Sequence, residues 1–537
     1  MIRIRQLKLR IEHTEDELRN KICRSLRIRE DELHSYKIRR QSLDARKKPE
    51  LYYIYTIDAC VSGEKKLLRR NKNKDVQKSG HQPYAYPACG EEPMGERPVV
   101  IGCGPAGMFC GLALAELGFR PVLLERGSAV EERLKDVQDF WDTGILKPDS
   151  NVQFGEGGAG TFSDGKLNTL VKDTAGRNYK VLEVFVEHGA PEDILYVSKP
   201  HIGTDILTDV VKSMRLKIIR LGGEIRFHSQ VTDLEIDEEG LSGLRVRNTE
   251  TGAEQLLKTR TAVAAIGHSA RDTFRMLHER GLYMEAKAFA AGIRIEHPQE
   301  MIDLVQYGRK REGGLPAASY KLTENLADGR SVYTFCMCPG GYVVNASSEE
   351  GHLAVNGMSY RSRMGGNANS AVIVTVRPED YPGDGPLAGI AFQRMLEQKA
   401  YQAGKGKIPV QLFGDFCKNR TSDRLGEIQP AMKGGFTLSN VREIFPEELS
   451  RCLEQGILAF DKKLPGFARK DAVVSGAESR SSSPVRIRRD EAMQGSIPGI
   501  YPCGEGAGYA GGITSAAMDG LKIAEAVVKR YRPFDKD

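Results

Sequence analysis

Three glycines mark the first candidate binding site: Gly102, Gly104 and Gly107 form the pattern Gly-x-Gly-x-x-Gly. They follow the apolar run 99–101 and open a helix-compatible stretch, and the next apolar run ends at Glu125. The first glycine permits a tight turn, the second lets the backbone approach a pyrophosphate, and the third lets the helix pack on the strand. Amides at the helix start face the phosphates, and Glu125 accepts hydrogen bonds from a ribose. The pattern predicts a dinucleotide site.

The far end of the chain decides between FAD and NAD, because both carry the adenosine half that this turn binds. A strand-like run leads into Gly504 and Glu505, and then Gly511-Gly512-Ile513 opens a helix that we expect to end near Lys529. This segment resembles the C-terminal flavin motif of the glutathione-reductase-type FAD superfamily. The resemblance implies that Glu505, where the superfamily more often has Asp, holds a ribityl hydroxyl. A helix start stabilises the negative charge of a reduced flavin.

Two further segments agree with a flavin site. Residues 262–266 read as a buried strand closed by Gly267, and His268 after it is expected to be a satisfied polar residue. Residues 155–167 form the densest glycine and polar cluster, which we expect to line the flavin or its pyrophosphate rather than a solvent loop. Lys166 in this cluster either lies near the flavin or faces water.

The prediction for the cofactor is therefore FAD, with NAD(P)H as a transient electron donor and no metal. Catalytic side chains are not assigned. The residues predicted to contact FAD are Gly102, Gly104, Pro105, Ala106, Gly107, Glu125, Arg126, Arg133, Gly157, Gly158, Thr161, Phe162, Ser163, Lys166, Val231, Gly267, Gly504, Glu505, Gly511, Gly512, Ile513 and Ala516.

The ten cysteines are scattered, and none stands in a C-x-x-C or C-x-x-x-x-C pair. The closest spacing is Cys336-Met337-Cys338, with no histidine pair at ligand spacing, so we expect two thiols on one strand rather than a zinc site. Cys103 and Cys110 flank the glycine turn and belong to the adenosine side. The cysteine pattern therefore disfavours a disulfide reductase of the glutathione type.

Length and composition predict a multidomain protein, because 537 residues exceed one ordinary core. No apolar run reaches the roughly 18 residues of a membrane span, and the N-terminus lacks a signal peptide's apolar stretch, so we expect a cytoplasmic protein. The predicted fold is α/β: a Rossmann-like, three-layer FAD-binding domain with a parallel sheet, an inserted α+β substrate domain and a small N-terminal α+β domain. The boundaries are 1–74 for the N-terminal domain, 75–96 for a linker, 97–270 plus 490–537 for the FAD-binding domain and 271–489 for the inserted domain.

The motifs together resemble the long FAD-dependent dehydrogenases that are sometimes labelled NAD-utilising dehydrogenases. The similarity extends over nearly the whole length, and its more specific marks are residues 43–50, 155–167, 338–341 and 478–486. It implies the two-part FAD fold with a separate N-terminal domain. It implies no particular substrate.

The leading functional prediction is an oxidoreductase in which flavin N5 passes a hydride to or from a small molecule. Within the inserted domain, Arg480, Arg486, Arg488 and Arg489 either bind an acidic substrate or form a solvated basic stretch. An RNA-modifying or RNA-binding protein is the alternative, because residues 1–74 hold 21 Lys or Arg against 11 Asp or Glu. A flavin-dependent scaffold without turnover is a third hypothesis. The sequence makes no prediction about oligomeric state.

Overall fold

The computed structural model describes residues 1–80, 83–312 and 314–535. A five-stranded sheet with all neighbours parallel lies at its centre, as the sequence predicted. In spatial order its strands are Ile500–Pro502, Ala262–Ala264, Val99–Ile101, Val122–Leu124 and Glu224–Arg226. The chain is therefore a mixed α/β protein, and strands from distant parts of the sequence meet in one sheet.

Alternation along the short strands divides the core into two layers. Val100, Leu123 and Val263 pack into one apolar cluster with helices Pro105–Glu116 and Ile513–Arg530. Their strand neighbours belong to a second cluster, shared with an antiparallel sheet on the other face. That sheet consists of Ser229–Asp237, Gly240–Asn248 and Glu254–Lys258. Since successive side chains of a strand point to opposite faces, apolar residues at every position bury both faces of the parallel sheet.

A seven-stranded sheet forms the second large unit. Its strands are, in spatial order, Thr323–Asn325, Ser331–Cys338, Asn367–Val376, Phe289–Pro298, Val473–Glu478, Ile408–Leu412 and Phe436–Leu438. A small sheet of Val355–Met358, Tyr342–Asn345 and Met432–Lys433 lies beside it. Two outer pieces of the predicted range 271–489 belong elsewhere: Phe274 and Ile487 pack into the core of the parallel sheet. Phe274 lies in helix Arg271–Glu279, and Ile487 lies in strand Val485–Ile487, which pairs with Met284–Ala286.

The N-terminal unit is an α+β fold with its own apolar cluster. Its sheet has the order Leu33–Lys47, Glu50–Val61, Ile2–Arg10 and Val76–Lys78. Its helix is Glu15–Leu26, and Thr14 forms a capping box with Glu17 at the helix start. The last strand falls in the predicted linker 75–96, so this sheet extends past residue 74.

Backbone hydrogen bonds join the N-terminal unit to the rest of the chain. The Gln41 amide donates to the Tyr196 carbonyl, and the Ser198 amide donates to the Gln41 carbonyl. Two of the unit's basic residues, Arg3 and Arg39, converge on the buried Asp58 at 2.7 Å each. Two of the positive charges counted from the sequence are therefore paired with a buried carboxylate inside the unit.

Helices and one further pair of short strands surround these sheets along the chain. The α-helices are Glu15–Leu26, Glu64–Arg70, Pro105–Glu116, Val130–Thr143, Arg177–Glu187, Thr204–Arg220, Arg271–Glu279, Gln299–Tyr307, Ala388–Gly404, Phe413–Phe416, Glu447–Asp461 and Ile513–Arg530. Short 3-10 helices occur at Glu30–Glu32, Gly158–Phe162, Glu192–Leu195, Pro378–Asp380 and Val441–Ile444, and strand Glu92–Pro93 pairs with Tyr531–Arg532. None of the helices in the described parts of the chain has both the length and the apolar character needed to cross a membrane.

Candidate functional site

The candidate site is a cavity of about 330 Å³ at the carboxyl ends of the parallel strands. Four of the strands run directly into residues that line the cavity. Gly102 follows strand Val99–Ile101, and Glu125 follows Val122–Leu124. Ala265 follows Ala262–Ala264, and Cys503 follows Ile500–Pro502. Crevices at the carboxyl edge of a parallel sheet are the usual ligand sites of open α/β folds. The topology therefore assembles this wall, called here the sheet wall, from segments far apart in the sequence.

The three glycines of the turn have different structural reasons. Gly102 has φ +101°, and a Cβ there would lie 2.5 Å from the Ala265 carbonyl oxygen. At Gly107 a Cβ would lie 1.9 Å from the Gly102 oxygen. At Gly104 the nearest described atom would be the Cα of Gly158, at 3.9 Å, and the backbone φ is −71°. The protein's own packing thus requires two of the glycines, whereas the third leaves cavity space that a side chain would fill.

Glu125 closes the second strand with its carboxylate among backbone amides. It accepts hydrogen bonds from the Cys103 amide at 2.8 Å, the Gly127 amide at 3.1 Å and the Gly155 amide at 3.0 Å. An ionised carboxylate has about four lone-pair sites, so these bonds leave acceptor capacity toward the cavity. Glu125 therefore both holds the turn in place and retains the ability to bind a hydroxyl.

The glycine-rich segment lies on the turn and is held from beneath by Arg133. The Gly157 amide donates to the Cys103 carbonyl at 2.8 Å, which brings Gly158 against Gly104. The Arg133 side chain is fully buried, and its guanidinium donates to the carbonyls of Asn151, Val152, Gly155, Glu156 and Gly158. A buried charge satisfied by so many acceptors fixes the loop. The segment is an ordered wall and not a solvent loop.

At the other end of the sheet wall, His268 and Glu505 lie together. The Nδ1 atom of His268 is 3.2 Å from Oε1 of Glu505, and its Nε2 is buried without a hydrogen-bond partner among the described residues. Beside them helix Ile513–Arg530 starts, and a Cβ added at Gly511 or Gly512 would meet no described atom within 4 Å. The helix start is thus open toward the cavity.

Lys166 lines the cavity and its Nζ lies 3.7 Å from Oδ2 of Asp164. Asp164 is buried and also accepts hydrogen bonds from Ser359 and Arg363. Burial opposes ionisation, but the charges of Lys166 and Arg363 outweigh it and lower the pKa of Asp164. The cation of Lys166 is therefore placed at the cavity by a fixed anion.

A second wall comes from the seven-stranded sheet, from the segment after its strand Val473–Glu478 and from strand Val355–Met358 of the small sheet beside it. We call it the side-chain wall; its members are Phe335, Cys336, Asn356, Glu478, Arg480 and Ser481. Beneath it Arg294, fully buried, donates from Nε to Oε2 of Glu478 at 2.9 Å. Burial raises the pKa of Glu478, and Arg294 opposes that rise. The wall therefore presents ionisable side chains, Glu478 and Arg480, to the cavity.

The four arginines proposed for an acidic substrate have protein partners instead. Arg480 donates from both Nε and Nη2 to the buried Glu397, at 2.9 Å, and from Nη1 to Ser269 and Ser348. Arg489 pairs with Asp519 at 2.8 Å and Arg488 with Glu285 at 2.7 Å, while Arg486 donates to the Gly508 carbonyl. Each of the four guanidinium groups thus has at least one partner within the protein.

The Arg480 contact belongs to a larger buried network. Glu397 also accepts from Arg271, at 2.9 Å and 2.7 Å, and from Ser479 at 2.6 Å. Burial opposes ionisation, but the two arginines outweigh it and lower the pKa of Glu397 well below its usual range. Arg271 starts a helix on the sheet wall's side and Glu397 lies in helix Ala388–Gly404, so this network joins the two units.

Most predicted contact residues line the cavity, and six do not. Those that do are Gly102, Gly104, Pro105, Ala106, Glu125, Arg126, Gly158, Ser163, Lys166, Val231, Gly267, Glu505, Gly511, Gly512, Ile513 and Ala516. Those that do not are Gly107, Arg133, Gly157, Thr161, Phe162 and Gly504.

The six residues outside the cavity lie directly behind its wall. Gly157 has φ +83°, and Thr161 is fully buried beside it. Phe162 packs edge-on against Trp141 with ring centroids 6.0 Å apart. The Gly504 amide donates to Asp519 at 2.8 Å. These residues shape the lining segments but do not form the surface that a ligand would contact.

Several residues that line the cavity were not indicated by the sequence, and most of them carry polar or aromatic side chains. They include Gln153, Phe154, Gln230, Ser269, Phe335, Cys336, Asn356, Glu478 and Ser481. The stretch 478–486 had already been singled out as a mark of the family resemblance, so its polar clustering was the available signal. For Phe335 and Cys336 no such signal existed. Groups of three or more His, Cys, Asp or Glu that could hold a metal ion are absent from the described ranges.

Comparison with known proteins identifies the family. Residues 288–481 match a family model described as FAD-dependent protein, C-terminal domain-like, and residues 1–60 match a domain of unknown function. An uncharacterized protein of Clostridium beijerinckii is 45% identical over 537 residues, covering 99% of both sequences. The chain therefore belongs to the same family as this clostridial protein, and its residues 288–481 match the FAD-dependent family model.

Solved structures align only weakly. The glycerol-3-phosphate dehydrogenase of Bacillus halodurans complexed with FAD aligns at 12% identity with a TM-score of 0.37, covering 82% of this chain and 65% of that one. The E. coli quinol fumarate reductase subunit FrdA aligns at 12% identity with a TM-score of 0.35, covering 80% and 69%. Alignments at this level carry no argument about activity.

Proposed function

We propose that the protein is an FAD-dependent oxidoreductase and that FAD binds in the cavity between the sheet wall and the side-chain wall. The observation that carries the proposal is Gly104, a glycine that the protein's own packing does not require and that opens onto the cavity at a strand–helix turn. A cradle that a Cβ would fill fits the close approach of a pyrophosphate to the backbone.

The chain's residues divide the proposed binding between two ends. The turn at Gly104 and the carboxylate of Glu125 would hold the adenosine diphosphate half. Glu505 and the open start of helix Ile513–Arg530 would hold the ribityl chain and the pyrimidine edge, where that helix start favours negative charge. FAD, when bound, supplies two-electron chemistry at N5. The two walls exclude water and position a small-molecule substrate.

The direct test is the cofactor content of the purified protein. We expect a yellow protein whose released flavin has the mass of FAD. A colourless protein that FAD cannot reconstitute would overturn the proposal. Anaerobic mixing with NADH and NADPH then tests the proposed transient donor, because reduction bleaches the oxidised-flavin band.

A matched pair of variants tests the place of binding. Gly104→Asp puts a carboxylate where the pyrophosphate would lie, and we expect it to lose bound FAD while keeping a native circular dichroism spectrum. Gly95→Asp is the control, because Gly95 is exposed, lies outside the cavity lining and has open space around it. Equal FAD content in both variants would contradict the proposed site.

The RNA-binding alternative gains no support from the comparisons or from the cavity. The flavin-dependent scaffold is separated from the enzyme by the same anaerobic experiment. A flavin that no candidate donor or substrate reduces would favour the scaffold.

A further inference from the structure

Two thiols stand at the side-chain wall in an irregular stretch of strand. Cys336 and Cys338 end strand Ser331–Cys338, and their pairing with the neighbouring strand shifts between Phe335 and Cys338. Opposite them the partner strand advances only from Ala371 to Asn369, so the cysteine strand carries an extra residue, as in a β-bulge. Bulges redirect side chains next to active sites.

The bulge explains why two successive residues face the same cavity. Phe335 and Cys336 both line it, although successive residues of a regular strand point to opposite faces. Cys336 has φ +43°, in the left-handed region that a non-glycine residue rarely adopts. Backbone conformations of this kind persist where the surrounding structure enforces them, and they cluster at functional sites.

The second thiol lies behind the first. Cys338 is fully buried, whereas Cys336 is half-buried at the cavity. The Cys338 thiol donates to the Cys336 carbonyl at 3.2 Å, and Nη1 of Arg294 lies 4.0 Å from the Cys338 sulfur. The pair therefore has one cysteine at the cavity and one sheltered cysteine beside a buried cation.

The surroundings also distinguish the two thiols chemically. A hydrogen bond from Cys338 and the charges of Lys166 and Arg294 lower the pKa of Cys336, although burial opposes them. Burial raises the pKa of Cys338. Burial likewise raises the pKa of Cys23, Cys103, Cys110, Cys417, Cys452 and Cys503. A thiolate is the reactive form, so Cys336 stands apart from these buried thiols.

We propose that Cys336 and Cys338 form a reversible redox dithiol that reduces disulfide substrates in the cavity. The Cys336 thiolate attacks a low-molecular-weight disulfide, forming a mixed disulfide and releasing one thiolate, which takes up a proton. The Cys338 sulfur, after losing its proton, attacks the Cys336 sulfur and releases the second thiol. The substrate disulfide is reduced to two thiols, and the dithiol is oxidised to one disulfide.

Regeneration of the dithiol from the Cys336–Cys338 disulfide rests on the proposed function, because it requires FAD in the cavity. Two electrons and two protons must reach the Cys336–Cys338 disulfide, and a reduced FAD in the same cavity carries both. The sequence contains no C-x-x-C or C-x-x-x-x-C pair, and for that reason a disulfide reductase was disfavoured. The structure instead brings a C-x-C pair, Cys336 and Cys338, to the cavity through the bulge.

The experiment is a redox titration of the full-length protein, with whatever FAD it binds, in mixtures of reduced and oxidised glutathione. Acid quenching, alkylation and peptide mass mapping then identify the oxidised cysteines. We expect one reversible Cys336–Cys338 disulfide with a single midpoint. The proposal is overturned if both residues stay thiols across the whole range, or if disulfides form equally among other cysteines.

Variants assign the two roles. Cys338→Ser is expected to accumulate glutathione on Cys336, because no second thiol resolves the mixed disulfide, whereas Cys336→Ser should take up none at residue 338. Cys60→Ser is the matched control, a half-buried thiol in the N-terminal unit, and should titrate like the unaltered protein. Lack of glutathione on Cys336 in Cys338→Ser contradicts the proposal, and mapping of the unaltered protein decides the matter if that variant does not fold.

Alkylation kinetics supply a readout that a structural thiol would not change. At about pH 6, well below the usual thiol pKa of roughly 8.5, iodoacetamide should label Cys336 faster than Cys60. Lys166→Gln should move the alkylation profile of Cys336 to higher pH. Equal rates at Cys336 and Cys60 would count against the proposal. Flavin content is measured separately, so absence of FAD would defeat the proposed function while leaving the thiol titration readable.

Discussion

The sheet wall of the cavity presents mainly backbone, whereas the side-chain wall presents buried charged and thiol groups. Glycines 102, 104, 267, 511 and 512 line the first, and each lies in a turn or at a helix start. The second wall has Glu478 and Arg480 at its surface and Arg294 and Glu397 beneath it. A backbone wall suits a cofactor part common to many proteins, and a wall of particular side chains suits a substrate of this family.

The two walls also differ in how a substitution should act. Backbone amides stay in place when a lining side chain changes, so a new side chain on the sheet wall chiefly obstructs the ligand. Arg480 on the side-chain wall and Arg294 beneath it each pair with one buried carboxylate, so removing that carboxylate leaves an uncompensated charge. We therefore expect ligand loss from the first kind of substitution and loss of folding stability from the second.

The largest effect is expected at Glu397. Glu397→Gln leaves Arg480 without its anion and Arg271 with only Glu349, which should lower the free energy of unfolding by about 3–5 kcal/mol. Urea titration measures the loss. Glu350→Gln, an exposed neighbour, is the control and should be neutral. A Glu397→Gln protein as stable as the control would remove the distinction between the walls.

The same variant has a defined acid response. Because the folded-state pKa of Glu397 lies below its unfolded value, its carboxylate stabilises the fold above the unfolded pKa of about 4.3. That contribution declines as the pH falls from about 4.3 toward the lower folded-state pKa. We expect the stability gap between the unaltered protein and Glu397→Gln to narrow over that acid range, as urea titrations at several pH values would measure. A gap that widens on acidification would contradict this sign.

Within the sheet wall, two neighbouring glycines should separate packing from binding. Gly107→Ala places a Cβ 1.9 Å from the Gly102 oxygen and should cost at least about 1–3 kcal/mol of stability. Gly104→Ala meets no such contact and should leave stability unchanged while weakening FAD binding. Thermal unfolding without added FAD, together with FAD titration, checks both. Equal destabilisation by the two substitutions would sink the assignment.

The smallest effect is expected at Arg126, on the sheet wall near Glu125. Its guanidinium donates to Asp272 at 2.9 Å and lies 4.5 Å from the centre of the Phe154 ring. Arg126→Lys loses the planar stacking and the fork geometry but keeps the charge, so FAD should bind roughly fivefold more weakly, equal to about 1 kcal/mol. Fluorescence titration of the released apoprotein with FAD measures this. A loss as large as that from Gly104→Asp would show that side chains dominate this wall too.

Much of the sheet wall could be predicted because its signals are local. The glycine turn, the apolar runs before Gly102 and Glu125, and the helix after Gly512 each occupy a few consecutive residues. The resemblance of the segment around Gly504 to the C-terminal flavin motif supplied the expectation of which half of FAD each segment would bind. Arg133 follows the same motifs in sequence, but its guanidinium faces the carbonyls of the loop rather than the cavity.

The amino-acid sequence by itself determined the β–α–β turn, the distant strand and helix around Gly504 and Gly512, and the basic α+β unit at the N-terminus, because short-range periodicity and glycine spacing specify them. Tertiary structure alone decided that Arg480 is neutralised by Glu397 and that a bulge turns Cys336 into the cavity. Pairing register and long-range charge partners depend on segments far apart in the chain, so no local pattern records them.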